Sequence, residues 1–405
     1  MTIPDSAMPE CPIPEPFHKS LGAVLALTGL FYLTFVSRII FAPLMPFIQT
    51  DLHVSDGRAG ALFLMISIGL FSAPLLIGWV SAGIRYRGAL AVSNIGVGVM
   101  LLVTSFSQSL AAMQISMVLL GLTAGFHIPS AVASITAQVQ KPDWGKALGI
   151  HQVAPPLSFV TAPLIATVLA PLLSWRGALT AWGVFSACCG ILFWLRGRSG
   201  DFKGQGLNFH VAREVLGLRA FWVIVVLMGM AMSGSAGIYA MLPLYMVRNQ
   251  GFSPQLANTL IGLSQVSGLI MVFFAGLIAD KIGPKKTIAL ALLGSGAMTV
   301  LIGTLNGVGL VVAIFLQPLF LTSFFPAAFA ALSRSVRPRL RGVGNSLGPA
   351  FGFLIGGGLT PTVIGYLADA QAFAAGIILV GCFILAGPFV VQFMHLGQFD
   401  HEDGC

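Results

Sequence analysis

Stretches of about twenty apolar residues, free of carboxylates, follow one another along almost the whole of this chain. Wound as an α-helix, such a stretch spans the roughly 30 Å hydrocarbon core of a bilayer. In hydrocarbon a helix also satisfies its backbone hydrogen bonds within itself. The composition agrees: 56% of the residues are hydrophobic and only 8% charged, where soluble domains carry about 25%. The pattern predicts an all-α membrane protein with twelve transmembrane helices, near 20–47, 57–81, 88–107, 110–137, 145–173, 177–196, 219–247, 254–279, 286–305, 308–333, 341–367 and 371–396.

The basic residues set the orientation. With both termini in the cytoplasm, only Arg58, Arg176 and Arg248 of the 21 Lys and Arg fall in outer segments, and Arg38 lies inside a span. The rest sit in short inner segments, the bias that fixes topology in membrane proteins. The expected location is the cytoplasmic (inner) membrane of a bacterium. The net charge of +8 is accounted for in this way, and no nucleic-acid partner is expected. The first twenty residues hold Asp5, Glu10, Glu15 and five prolines, so a cleavable signal peptide is not expected. The five cysteines have no metal-ligand or disulfide spacing.

Gly197 to Leu218 is the longest polar break. It divides the chain into a cytoplasmic N-terminal arm (1–19), a six-helix bundle (20–196), a cytoplasmic linker loop (197–218), a second six-helix bundle (219–396) and an acidic cytoplasmic tail (397–405). The halves resemble each other: GALFLMISIGLFSAPLLIGWVSAGIRYRGA (60–89) parallels NTLIGLSQVSGLIMVFFAGLIADKIGPKKT (258–287). Two pseudo-symmetric bundles of this kind suit a protein that rocks about a site at the bilayer midplane.

GLIADKIGPKK is similar to the loop signature of the major facilitator superfamily, through Gly276, Asp280, Lys281, Gly283, Lys285 and Lys286. The resemblance takes in the span count, the repeat and this loop, so it covers essentially the whole chain. It implies the major facilitator fold, a secondary transporter, and a conformational latch in which the loop carboxylate holds neighbouring inner helix ends. The first-half loop, GWVSAGIRYRG, keeps Gly78 and Arg87 but has Ala82 where the acid would stand. The alternative reading is that the lysines only hold the loop inside.

No carboxylate lies within a predicted span, which disfavours a cation substrate and the drug/proton antiport that uses an embedded acid. Arg38 does lie within one, and an arginine keeps its charge. Its cheapest partner is an anion that arrives and leaves, in a pocket shared with Thr34 and Phe35; the alternative is a side chain that snorkels to the outer interface. In the fourth span Ser116, Thr123, His127, Ser130, Ser134 and Gln138 share one helical face, expected to line water or the partner bundle, with Thr123, His127 and Ser130 as candidate substrate contacts. With no acid inside, His127 and His151 are candidates for proton coupling, or else each makes one hydrogen bond and never changes charge. Tyr239, Gln265 and Asn345 are the second-half candidates for substrate contact. Gly344, Gly348, Gly352 and Gly356 form a smooth ridge for close helix approach.

These readings predict a secondary active transporter of a small organic anion, a monocarboxylate or similar, working by alternating access with proton symport. Its partners are the anionic substrate, protons and membrane lipid; it is expected to be a monomer, to hold no cofactor or metal, and not to be an enzyme. An exporter of amphipathic drugs or metabolites and an anion exchanger are the alternatives. No GxxxxGK[ST] loop is present to bind ATP.

Overall fold

The computed structural model describes residues 16–204 and 209–394, without the side chains of Phe209, Pro338 and Arg339. The acidic tail 397–405 and most of the N-terminal arm lie outside the described residues. Ten helical runs among those described are long and apolar enough to cross a membrane. Two of them, Asp56–Ser105 and Lys141–Arg196, have 50 and 56 residues. A straight helix of that length would measure about 75–85 Å, more than twice the bilayer core. Each is broken where one residue leaves helical geometry, at Arg85 (φ 61, ψ 168) and Ser174 (φ 61, ψ 171).

Divided at those breaks, the runs are twelve spans: α1 (Phe17–Leu52), α2 (56–84), α3 (86–105), α4 (Leu110–Gln138), α5 (141–173), α6 (175–196), α7 (Arg219–Arg248), α8 (Pro254–Ile282), α9 (Pro284–Thr304), α10 (Gly307–Ser335), α11 (Leu340–Asp369) and α12 (Phe373–Val391). One buried apolar cluster runs from Ala212 to Met394, and others belong to the first half, such as that between Val36 and Leu179. Ala240 of α7 is the buried second-half residue that joins the first-half cluster. Trp79, Phe273 and Val308 stay 65–80% exposed, as side chains facing lipid do.

The repeat is visible in backbone geometry. Matching 60–89 to 258–287 sets Arg85 opposite Gly283, which has φ 81 and ψ 153. That region is essentially reserved for glycine and costs other residues about 1–3 kcal/mol. The linker holds Arg85 in it. Tyr86 N–H donates to Phe202 O, Arg87 N–H to Gly200 O, and Gly204 N–H to Ser81 O, while Arg85 Nη1 meets Asp201 Oδ1 at 2.6 Å. The carboxylate missing at Ala82 is thus supplied from the linker. That ion pair is exposed and contributes only about 0–1 kcal/mol. Arg85→Gly is therefore expected to stabilise, raising the melting temperature by about 1–2 °C; a lower value in a thermal-unfolding scan would mean that the linker contacts outweigh the strain.

Helical continuity fails near mid-span in α1 (at Ile40), α4 (Phe126), α5 (Gln152–Val153), α7 (Ser233–Gly237), α10 (Thr322–Ser323) and α11 (Leu354–Leu359). The breaks in α7 and α11 are π-helical, a form that often marks functional sites. They meet: a Cβ on Gly237 would lie 2.4 Å from Gly356 O. The glycine ridge of α11 is therefore divided. Gly352 and Gly356 press on Met228, Met232 and Ser233 of α7, Gly348 meets both Met228 of α7 and Leu332 of α10, and Gly344 only nears Leu332.

The two halves are joined unevenly. At the end holding the turn before α2 (the Asp56 end), Asp369 Oδ1 accepts from Asp56 N–H, and its Oδ2 accepts from Gly57 N–H and Ser55 Oγ. Arg248 Nη1 reaches both Asp56 oxygens at 2.8 Å. Asn258 Nδ2 donates to Pro43 O, and Thr362 Oγ1 to Gly60 O. At the opposite end (the linker end) no hydrogen bond or ion pair joins the halves among the described residues.

Candidate functional site

A cavity of about 50 Å³ lies between the halves, lined by α1, α2, α5, α7, α8 and α11. Its wall is apolar except for Arg38, Ser67 and Tyr239. Arg38 sits just before the bend of α1, and steps of four and three place Phe31, Phe35 and Arg38 on one helix face.

Arg38 is 7% exposed and makes no hydrogen bond or ion pair, and its buried Nε has no partner. What it has is rings: Cζ lies 4.2 Å from the Phe35 centroid and 5.3 Å from that of Phe353. Each such contact is worth about 0.5–2 kcal/mol, far less than the several kcal/mol that burying a charge costs. The side chain points into the interior rather than snorkelling. Electrostatically the cavity is a cationic site without a resident counter-ion.

Phe35 is therefore part of the site, but Thr34 turns away. Its hydroxyl donates to Leu30 O at 2.9 Å, with Asn94 Oδ1 of α3 at 3.2 Å. Tyr239 lines the cavity while its hydroxyl donates to Ile314 O at 3.2 Å. Gln265 lies beside that hydroxyl without lining the cavity, and its Nε2 is buried without a partner. Asn345 is exposed on the linker-end half of α11 and does not reach the cavity. Ser67, Phe159 and Phe353 do line it and stood out in no sequence pattern; a lone serine or phenylalanine in an apolar span reads as packing.

The polar face of α4 does not line the cavity, contrary to expectation. The helix breaks at Phe126, and its hydroxyls are spent locally. Thr123 bonds Leu119 O and packs on Gly96, Ser130 bonds Phe126 O, Ser134 bonds Ser130 O, and Ser116 pairs with Thr104 of α3. Back-bonding of this kind satisfies a hydroxyl without water.

His127 and His151 are brought together. Both are fully buried, with Nε2 atoms 3.4 Å apart and rings within 5° of parallel. Phe31 stacks on both, at centroid distances of 5.0 and 4.6 Å. Both Nδ1 atoms are buried without a hydrogen bond; the Leu27 backbone lies beside His127 outside bonding geometry. Among the described residues no group of three or more His, Cys, Asp or Glu could hold a metal ion.

The expected latch is not engaged in this arrangement. Asp280, Lys281 and Lys286 are exposed and make no ion pair, nothing lies within 4 Å of a Cβ placed on Gly276, and Lys285 Nζ approaches Gln392 O and Met394 O at 3.4 and 3.3 Å. Asp280 pairs with no residue of the other half in this arrangement.

The family model described as Major Facilitator Superfamily matches residues 27–257 and 222–397. Among curated proteins, the uncharacterized MFS-type transporter YuxJ of Bacillus subtilis is 23% identical over 317 residues, 73% of this chain and 80% of that protein. Multidrug resistance protein MdtG of Proteus mirabilis is 26% identical over 373 residues, 84% of this chain and 91% of that protein. Among solved structures, a bacterial homologue of the human lysosomal transporter Spinster, inward-facing and unoccupied, aligns with a TM-score of 0.79 at 16% identity, covering 94% of this chain and 98% of that one. A D-xylose–proton symporter aligns at 0.76 and 15% identity, over 96% and 100%. Twelve spans in two similar halves, a cavity between them and a family match over nearly the full length make this chain a member of the major facilitator superfamily, a multi-pass membrane transporter and not an enzyme.

Proposed function

We propose that this transporter carries a small organic anion, a monocarboxylate or similar, by alternating access and together with a proton. One observation carries the reading: a buried arginine with no counter-ion lines the cavity between the halves. In such surroundings a guanidinium–carboxylate contact is strong and geometrically specific. The size of the cavity favours a small guest. About 50 Å³ suits a molecule of a few heavy atoms, whereas drug-sized ligands occupy pockets of roughly 300–1,000 Å³.

The basic-residue bias supports a cytoplasmic linker end and cytoplasmic termini, and the bacterial relatives support a bacterial inner membrane. The Asp56 end is then outside, and the arrangement described is closed outward. The monomer is the working unit, since the cavity draws its lining from both halves of one chain.

A second reading, export of amphipathic drugs or metabolites, is favoured by the likeness to a protein named for multidrug resistance. A thermal-shift comparison separates the two. Acetate and lactate are expected to stabilise the purified wild type and to leave Arg38→Ala unmoved. Equal stabilisation of both forms by a hydrophobic cation such as tetraphenylphosphonium, with none by the carboxylates, would decide for the exporter.

A further inference from the structure

We infer that His127 and His151 form a single proton-binding site whose occupancy is set by the charge state of the Arg38 cavity; this rests on the proton-coupled reading above. The argument begins with counting protons. In the neutral pair one Nε2–H donates across the 3.4 Å gap to the other Nε2. The donor ring then has a bare Nδ1, and the acceptor ring must carry its hydrogen on Nδ1. Both Nδ1 atoms are buried and unbonded, so the neutral pair leaves one donor and one acceptor unsatisfied.

A proton from water adds to the bare Nδ1, forming one N–H bond. The resulting charge is shared by both rings, because the bridging hydrogen can move from one Nε2 to the other. The next free lone pair is the Nε2 that accepts the bridge. Protonating it would set two N–H groups against each other at 3.4 Å. The pair therefore takes up one proton and not two.

The histidine-bearing half of α4 (His127–Gln138) has no titratable group besides His127, and α5 beyond His151 has none up to Ser174. Among the described residues, the titratable groups of α2, α3 and the break between them, which pack on the same segment, are Asp56 and Arg58 at the Asp56 end and, at the linker end, Tyr86, Arg87 and Arg85, which is paired with Asp201. Helix 144–151 adds Lys146, exposed and paired with Asp143 at 2.8 Å. On α1 stand His18 and Lys19 at the linker end, Tyr32, whose hydroxyl bonds Thr161, and Arg38.

Arg38 is linked to the pair through a column of rings. Phe31 lies over both imidazoles and meets Phe35 edge-on at 5.8 Å, and Phe35 lies under the guanidinium. Seven residues of helix separate Phe31 from Arg38, about 10 Å. Two cations at that separation repel by enough to change occupancy on the order of tenfold at an effective dielectric constant near 20. An anion on Arg38 removes the repulsion. Anion and proton then enter the same conformation together, which is the condition for symport.

Magic-angle-spinning NMR of reconstituted protein with ¹⁵N-labelled histidine reads the pair directly. In the wild type, two ring signals are expected to titrate in one common step that adds one proton, and His127→Gln is expected to abolish that step for His151. At fixed pH, saturating lactate and, separately, Arg38→Met should each raise the ratio of protonated to neutral pair about tenfold. Two independent titrations in the wild type would overturn the shared site, and an unchanged fraction in Arg38→Met would overturn its link to the cavity. If lactate gives no thermal shift, the carboxylate reading fails instead, while the wild-type titration and Arg38→Met still decide this one.

Discussion

Arg38→Met is expected to unfold at a higher temperature than the wild type while losing carboxylate accumulation. The two effects have one cause. A buried guanidinium without a counter-ion carries a desolvation cost that ring contacts offset only in part, and replacing unfavourable buried ionic groups by apolar residues of similar volume commonly stabilises by about 1–4 kcal/mol. Truncating one partner of a desolvated charge pair typically costs 2–5 kcal/mol of binding, so the affinity for lactate or acetate should fall at least thirtyfold. Thermal unfolding and uptake into liposomes driven by an inward pH gradient measure the pair of effects. An arginine that merely supports the fold would give the opposite pattern, with lower stability and only secondary loss of transport. Arg38→Lys is a useful companion. It keeps the charge but not the planar fork, and should retain weak binding without the geometric selectivity of guanidinium for carboxylate.

The sequence foretold the frame and only part of the site, for a physical reason. Lipid requires continuous helices of set length, so apolar runs and basic loops reveal the spans directly. The site depends on where helices bend and on which spans meet, and neither is written locally. Arg38 was legible because a charge in an apolar run has no bland partner in the sequence. The nearness of His127 to His151 was not, because it depends on breaks at Phe126 and at Gln152–Val153 that bring two helices under Phe31. The serines of α4 misled for a related reason. Periodicity shows which residues share a face but not whether their hydroxyls are already bonded to their own helix, as Ser130 and Ser134 are. Asn345 failed similarly: it is polar within an apolar span, yet lies in the half of α11 toward the linker end, away from the cavity.

Asp369→Ala is expected to open the Asp56 end. In the arrangement described, the carboxylate of α11 caps the first turn of α2 across the gap between the halves, accepting from two backbone N–H groups and from Ser55. Charged hydrogen bonds contribute about 1.5–3 kcal/mol each when buried, and a carboxylate at a helix N-terminus gains a further fraction of a kcal/mol. Partial exposure and replacement by water reduce this sum, so a net shift of about 2–4 kcal/mol is expected, or about 30- to 1,000-fold in the balance between closed and open. The close approach of the backbones makes the contact steric as well as electrostatic. A Cβ on Gly60 would lie 2.2 Å from Pro361 O, and one on Gly365 would lie 2.3 Å from Asp56 O. Gly60→Leu should therefore open the same end without touching any charge. Spin labels at the exposed positions Thr50 and Gln371 report the separation by double electron–electron resonance. Both variants should add a longer distance that the wild type populates little, and Arg248→Ala, which leaves the 8%-exposed Asp56 side chain without its cation, should do so to a smaller extent. Asp201→Ala, which breaks an exposed pair at the linker end, should leave the distribution as it is. If Asp369→Ala and Gly60→Leu both keep the short distance, closure of this end is held by the apolar contact of Ala240 with the first-half core and not by the α2–α11 crossing.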